Sequence, residues 1–406
     1  MEDLKTYKLG DLVSIQSGGT PNKAIASYWG GNIPWISAKT MYVDFITDSD
    51  LYITEEGLKN GSKLAPVGSI LLLTRGSGLF NRIPVCMVNN EVAYNQDIKC
   101  ITVKENSFTS NLFIFYWLYS HKELLSGILE TTGIGAGKID TSRLLDIDVH
   151  LPDLETQHRY IQICSSILEK IEVNKRINDN LEQQAQALYK SWFVDFEPFK
   201  DGCFVESELG LIPVGWKVVE LGEVTKQITE KVKNRTGVKV LSPVTTGELV
   251  LSEEYFTKQV FSESIAKYIT VKPLQFAYNP ARVNIGSLGM NTFEFDGCVS
   301  PVYVVFECER DYQYFFDYFR KTEAFKDEVL ARAIGGVRQS LSYKDFSLIK
   351  LIYPPRTIVE KFNRLYSNIL VSINHNKVEA NNLTDMRDTL LPKLMSGELK
   401  INEIDC

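Results

Sequence analysis

Two stretches of the chain carry the clearest pattern of apolar and polar positions. The first runs from about Leu154 to Phe196 and the second from about Thr357 to Met395. Both are polar overall and free of Gly, and Pro392, near an end, is the one Pro. Tyr160, Ile167, Leu181 and Leu188 recur at a spacing of seven, with Asn174 filling the middle place. An offset of 202 carries this series onto Phe362, Ile369, Asn376, Leu383 and Leu390, and carries Leu168 and Ile171 onto Leu370 and Ile373. An apolar heptad interrupted by one Asn is the pattern of a coiled coil, in which the polar residue costs stability but sets register. The spacing predicts two long antiparallel helices, each roughly 60 Å long at 1.5 Å per residue, with Asn174 opposite Asn376. Two separate amphipathic helices would leave the shared Asn unexplained.

The regions between the helices repeat as well. Leu9-Gly10-Asp11-Leu12-Val13 returns as Leu221-Gly222-Glu223-Val224-Thr225, an offset of 212. The alternation Ile147, Val149, Leu151 before Pro152 returns as Ile349, Leu351, Tyr353 before Pro354, an offset of 202. Repeats of this kind organise a fold. The boundaries follow: a globular domain over 1–152, a long helix over 153–205, a second domain over 206–354, and a second helix with a tail over 355–406. Within the domains, 69–74 reads as a buried strand, 97–103 as another, and 299–306 as the counterpart of the latter. Gly-rich turns intervene at 17–21, 30–32, 76–78 and 335–336. The fold class is α/β (α+β). Each domain has a mostly antiparallel sheet with helices, and the helix pair separates the two.

Composition changes this picture little. Apolar residues make up 44% and charged residues 23%, as in a folded soluble protein. The opening residues lack an apolar signal core. The most apolar window, 112–119, is too short to span a bilayer. Seven scattered Cys without a C-x-x-C pair suit reduced thiols in a cytoplasmic protein. The four His have no ligand partners at zinc spacing, so no metal is expected.

Charge argues against a simple polyanion binder, since the net value is −7. Residues 1–150 hold 13 Lys+Arg against 16 Asp+Glu, and residues 206–355 hold 18 against 19. Any face that binds a polyanion is therefore a local patch.

Candidate catalytic motifs fail. Thr132-Gly133-Ile134-Gly135-Ala136-Gly137-Lys138 lacks the first Gly and the final Ser or Thr of a phosphate loop, leaving at most a backbone nest for one phosphate. Asn279-Pro280-Ala281-Arg282 lacks the second Pro and the aromatic residue of an amino-methyltransferase motif. Asp140, Asp146 and Asp148 read as solvated carboxylates, and no nucleophile elbow is present. No catalytic residue is assigned.

Several segments nevertheless form a recognisable series. Ser17-Gly-Gly-Thr-Pro21 is followed by Tyr28-Trp-Gly-Gly-Asn-Ile-Pro-Trp-Ile36, Asn95-Gln96 and Leu188-Tyr-Lys-Ser-Trp-Phe-Val-Asp-Phe-Glu-Pro198. Gly210-Leu-Ile-Pro-Val-Gly-Trp216 and Leu390-Leu-Pro-Lys-Leu-Met-Ser-Gly-Glu-Leu399 complete it. In these segments and their order the chain resembles the specificity subunits of type I restriction–modification systems over nearly its whole length. The second domain departs from the pattern, because 240–254 lacks the Gly-Gly-Thr-Pro and Trp-Gly-Gly segments.

The resemblance implies a non-catalytic subunit that reads a bipartite, asymmetric double-stranded DNA site, one half per target-recognition domain. It implies two modification subunits that use S-adenosylmethionine and two restriction subunits that use ATP and Mg²⁺, with no cofactor on this chain. An interaction scaffold of the same fold that no longer reads DNA is the alternative, and a self-contained methyltransferase or nuclease is a third.

Side chains that read base edges pair donors with acceptors and sit on loops. In the first domain these are Lys39, Arg75, Ser77, Asn95 and Gln96. In the second they are Tyr278, Asn279, Arg282, Gln339 and Ser340. Lys138 and Arg338 follow Gly-rich turns and suit phosphate. Ile167, Asn174, Leu181, Leu188, Ile369, Asn376, Leu383 and Leu390 are expected to set the helix register. Trp192, Phe193 and Phe196 are read either as packing against the neighbouring domain or as a docking surface for a modification subunit.

Overall fold

A computed structural model describes residues 4–104, 108–133, 135–256, 261–262, 264–332 and 340–399. The chain forms two compact units, Met1–Lys175 with Lys377–Cys406, and Arg176–Asn376. The long helices are Leu154–Phe193 and Arg356–Met395, 40 residues each, and both are divided between the units. Among the described residues no helix is long and apolar enough to cross a membrane.

The first unit is closed by pairing its opening strand with its last. Lys5–Lys8 runs antiparallel to Asp148–Leu151, with Lys5 opposite Leu151. A single helical turn, Leu9–Leu12, follows. Its Leu-Gly-acid sequence has a physical reading at each position. Leu9 is buried, and its N–H donates to the Ile147 carbonyl at 2.8 Å. A Cβ on Gly10 would lie 3.2 Å from the Leu145 Cβ and carbonyl oxygen. The Asp11 carboxylate accepts the Lys8 N–H and so caps the turn.

The second unit closes in the same way. Lys217–Glu220 pairs with Lys350–Tyr353, Lys217 opposite Tyr353. Leu221 N–H donates to Ile349 at 2.8 Å, and Glu223 accepts the Glu220 N–H. A Cβ on Gly222 would lie 3.0 Å from the Ser347 Cβ. Every contact sits at the repeat offsets of 212 and 202 seen in the sequence.

Besides smaller sheets, each unit holds two sheets of four or five strands in matching order. In the first, one sheet runs Val13–Ser17, Ile98–Val103, Ile70–Leu73, Val85–Val88, Phe45–Ile46. The other runs Tyr52–Ile53, Trp29–Ile36, Val92–Tyr94, Leu64–Ala65. In the second unit the series are Thr225–Ile228, Val304–Cys308, Phe276–Tyr278, Leu288–Met290, and Leu249–Leu251, Lys239–Pro243, Gly297–Val299, Ile269–Val271. Pairing is mostly antiparallel. Parallel pairs join Val92–Tyr94 to Trp29–Ile36 and Gly297–Val299 to Lys239–Pro243. The single strand expected over 299–306 is instead two strands in different sheets. Pro301 lies between them, and the chain turns there through a bond from Tyr303 N–H to the Ser300 carbonyl.

The long helices begin where the sequence places them and run antiparallel within each unit. Asp153 starts the first, its carboxylate accepting the Thr156 N–H at 2.8 Å. In the first unit Tyr160, Cys164, Ile167, Leu168 and Ile171 share a core with Leu391, Leu394 and Met395, and Leu383 and Leu390 pack on it. In the second, Ala185, Tyr189 and Phe193 share a core with Val359, Phe362 and Tyr366, with Leu188 and Ile369 alongside. Leu181 is half-buried.

The expected Asn174–Asn376 pair is not the one formed. The Asn174 amide donates to Glu379 at 2.7 Å, and the Asn376 amide donates to Asn178 at 2.9 Å. A heptad fixes which face is buried, whereas a shift of one turn keeps the face and changes the partner. The first helix ends at Phe193, three residues before the expected Phe196, which adopts a left-handed backbone with φ 54°. Phe193 and Phe196 then pack around Trp216, and Trp192 packs against Phe199 and Phe362.

The closing turn predicts a symmetric sensitivity. Gly10→Val and Gly222→Val each force a side chain into a space of about one atom, and each should lower stability by about 1–3 kcal/mol. Chemical unfolding of the two variants checks this, and an unchanged midpoint in either contradicts the close approach.

Candidate nucleic-acid interface

One end of the central sheet in the first unit gathers the polar candidates, and strand register accounts for the gathering. Ser17 closes the first strand and lies opposite Lys99. Leu73 closes the central strand and lies opposite Ile98. The chain then leaves through 74–84, which carries Arg75 and Ser77, both exposed. Thr74 N–H donates to the Asp97 carbonyl at 2.8 Å, and its own carbonyl accepts Ile139 N–H at 2.8 Å. This second bond docks the hairpin of Leu129–Thr131 and Gly137–Ile139 on the same end. The Gly-rich segment 132–138 is thus the turn and return strand of a hairpin; Ile134 lies outside the described residues.

Docking places two cations side by side. Arg75 pairs in register with Lys138, and Gly76 with Gly137. Like charges directly opposite on paired strands cost stability. Lys138 has partial relief from Asp140 at 3.5 Å. Asp140 is itself held at about 2 by the Ser142 hydroxyl and by the backbone N–H groups of Arg143 and Ser142, as the cap of the next helix. Among the described residues Arg75 makes no ion pair. Lys99 is a third cation at this end, bonded to the Ser17 hydroxyl at 2.5 Å. Partial burial, and then the Arg75 charge, hold its ammonium below the ordinary lysine range. Gly76, at φ 153° and ψ 155°, adopts a conformation essentially confined to glycine and turns the chain between Arg75 and Ser77.

The remaining candidates of this unit divide. Gln96 is exposed and accepts the Thr20 hydroxyl at 2.5 Å. Lys39 is exposed in the loop before Phe45–Ile46. Asn95 is buried, and its side-chain oxygen accepts the Asp97 N–H at 3.0 Å. It builds the turn and presents no base-reading edge.

The second unit repeats the arrangement with different residues. Segment 279–287 leaves the central strand Phe276–Tyr278, and the Pro280 carbonyl accepts Leu341 N–H at 3.0 Å, as Thr74 accepts Ile139. Arg282 is exposed at the start of a short 3₁₀ turn, with no ion pair among the described residues. Asn279 is half-buried, its side chain accepting the Ala281 N–H at 3.0 Å. Ser340 is exposed beside Leu341. Tyr278 is fully buried, with its hydroxyl donating to the Leu341 carbonyl at 3.2 Å. It braces the edge from beneath, so it leaves the contact set. Arg338 and Gln339 lie outside the described residues.

Sequence reading missed Lys99, whose position was legible in the alternation of buried Ile98 and Cys100 around it. It also missed Tyr42 and Arg82. The Arg82 guanidinium sits over the Tyr42 ring, 5.7 Å from its centroid, a contact between distant segments that no local pattern announces. Among the described residues no group of acidic, His and Cys side chains is arranged to hold a metal. Asp146 and Asp148 pair with Lys8 at 3.3 and 2.9 Å.

Residues 1–183 match the type I restriction modification DNA specificity domain. The chain is 27% identical to the type I restriction enzyme MjaIX specificity subunit of Methanocaldococcus jannaschii, over 99% of this chain and 95% of that one. It is 29% identical to the EcoR124I/EcoR124II specificity subunit of Escherichia coli over 48% of this chain and 47% of that one. Its fold is that of the crystal structure of a type I restriction–modification S subunit from M. genitalium, with a TM-score of 0.57 at 14% identity, covering 97% of this chain and 96% of that one. The domain match over residues 1–183 and the 27% identity that runs from end to end make the chain similar to the specificity subunits of type I restriction–modification systems.

Proposed function

We propose that each unit reads one half of a bipartite, asymmetric double-stranded DNA site, and that the chain positions modification and restriction subunits around it. The observation that carries this reading is the recurrence, in both units, of an exposed Arg, without an ion pair among the described residues, on the segment leaving the central strand. In the first unit that Arg is held against a like charge. A fold keeps such an arrangement at a cost, and a DNA phosphate placed between the two cations offsets it. Arg75, Lys138 and Lys99 suit phosphate, whereas Ser77, Gln96, Lys39, Asn279, Arg282 and Ser340 offer the donors and acceptors that match base edges.

In this reading the chain is non-catalytic. Methylation with S-adenosylmethionine and cleavage with ATP and Mg²⁺ belong to two modification and two restriction subunits, in the cytoplasm. The net charge of −7 favours a second reading, a scaffold of the same fold that does not read DNA.

Two measurements bear on the proposal. Arg75→Ala and Lys138→Ala should leave the unfolding midpoint unchanged or slightly raised, because each relieves a like-charge contact. In complex with the modification subunit, each should weaken DNA binding and reduce the log–log salt slope by about one. An unchanged slope argues against a phosphate contact. Co-expression with the modification subunit, followed by single-molecule sequencing of host DNA, should reveal methylation at one split, asymmetric motif that disappears when this gene is deleted. An unchanged methylome despite a stable complex favours the scaffold.

A further inference from the structure

The segments that leave the two central strands share a feature beyond their cations. In the first unit the chain forms a short 3₁₀ turn, Ser77–Phe80, and in the second a similar turn, Val283–Ile285. Each turn is pinned by one apolar residue and displays another. Leu79 is 2% exposed and Phe80 51%; Val283 is 6% exposed and Ile285 55%. The turns are held by backbone bonds, from Arg82 N–H to the Gly78 carbonyl at 3.1 Å and from Ile285 N–H to the Arg282 carbonyl at 3.1 Å. The exposed residue is therefore presented by a fixed turn.

Single exposed apolar side chains are ordinary on protein surfaces. These two are distinguished by position. Each follows an exposed Arg on the same segment, Arg75 or Arg282, at the end of the sheet where the polar candidates gather. In the first unit Arg75 lies opposite Lys138 in register, and Arg82 follows Phe80 two residues on. Tyr42, 73% exposed, lies under Arg82. An exposed apolar group on a segment that also carries an exposed Arg fits a partner that is both anionic and locally apolar. Duplex DNA is such a partner, since phosphates frame base edges on which the thymine 5-methyl is the apolar mark.

On the reading that this chain binds DNA, we propose that Phe80 and Ile285 are its apolar specificity contacts, each packing on the 5-methyl group of a thymine in its own half-site. Each half-site then contains at least one A·T pair, at the base step facing the turn. The cations hold the backbone, and the apolar residue distinguishes thymine from cytosine at one position. Phenylalanine and isoleucine differ in reach, so the two half-sites place that thymine differently.

The test uses the full chain in complex with its modification subunit, and duplexes carrying the motif identified by methylation sequencing. Every thymine is replaced in turn by uracil, which removes only the methyl group, and dissociation constants are measured. One replacement in one half-site should weaken the wild-type complex by about fourfold, the effect of losing one buried methyl. That replacement should leave the Phe80→Ala complex unaffected, while Phe80→Leu keeps the sensitivity. Ile285→Ala should erase the corresponding effect in the other half-site. Uracil penalties that persist undiminished in both alanine variants overturn the proposal, as does a half-site without an A·T pair. So does a loss of affinity in Phe80→Ala with no uracil sensitivity in the wild type, the signature of a wedge between bases. Absence of any motif-selective binding overturns the DNA-reading function itself, and so separates the two failures.

Discussion

The antiparallel pairing of one early strand with the strand that precedes the proline-led long helix is the constraint on which each unit depends. It joins Lys5–Lys8 to Asp148–Leu151 and Lys217–Glu220 to Lys350–Tyr353. Pro152 and Pro354 follow the closing strands at once, end the pairing and release the chain into a long helix. The turn after each opening strand must then pass close to the turn before the closing one. Gly10 and Gly222 permit that approach, while the acids Asp11 and Glu223 satisfy the N–H groups of the turn. A unit closed in this way has both ends at the foot of its helix, and everything between the two strands is free to vary.

That freedom is visible in the interiors. The sheet order and the two backbone bonds that dock the last hairpin or bridge are common to both units. The side chains at the exposed end are not. The first unit places Arg75, Lys138, Lys99 and Gln96 there, and the second Asn279, Arg282 and Ser340. A shared closure with different edge chemistry is what the proposed reading, two readers of different DNA segments, requires. Under that proposal the cations that would meet DNA are few and local, and the nearby acid Asp140 caps a helix.

How much of this was legible follows from the range of each interaction. The long helices and the repeat were legible because heptads, Leu-Gly-acid turns and strand-ending prolines act within a few residues. The axial register was not, since buried Asn174 and half-buried Asn376 take Glu379 and Asn178 as partners. A run of apolar residues over 299–306 concealed a turn at Pro301. At the candidate interface, the exposure of Arg75 was legible because it lies where a strand meets a glycine turn. Asn95 was misjudged because an amide that reads a base and one that ties a turn have the same composition. The Tyr42–Arg82 contact joins segments distant along the chain, and a single sequence does not carry that information.

The account rests on each closed unit acting as an independent reader, and exchange of one unit tests this most directly. Residues 5–151 are replaced by the corresponding segment of a specificity subunit with a different known motif, and the chimera is co-expressed with the original modification subunit. Methylation sequencing should show one half of the motif changed to that of the donor and the other half retained. A motif altered in both halves, or in neither while the complex still assembles and methylates, would contradict the account.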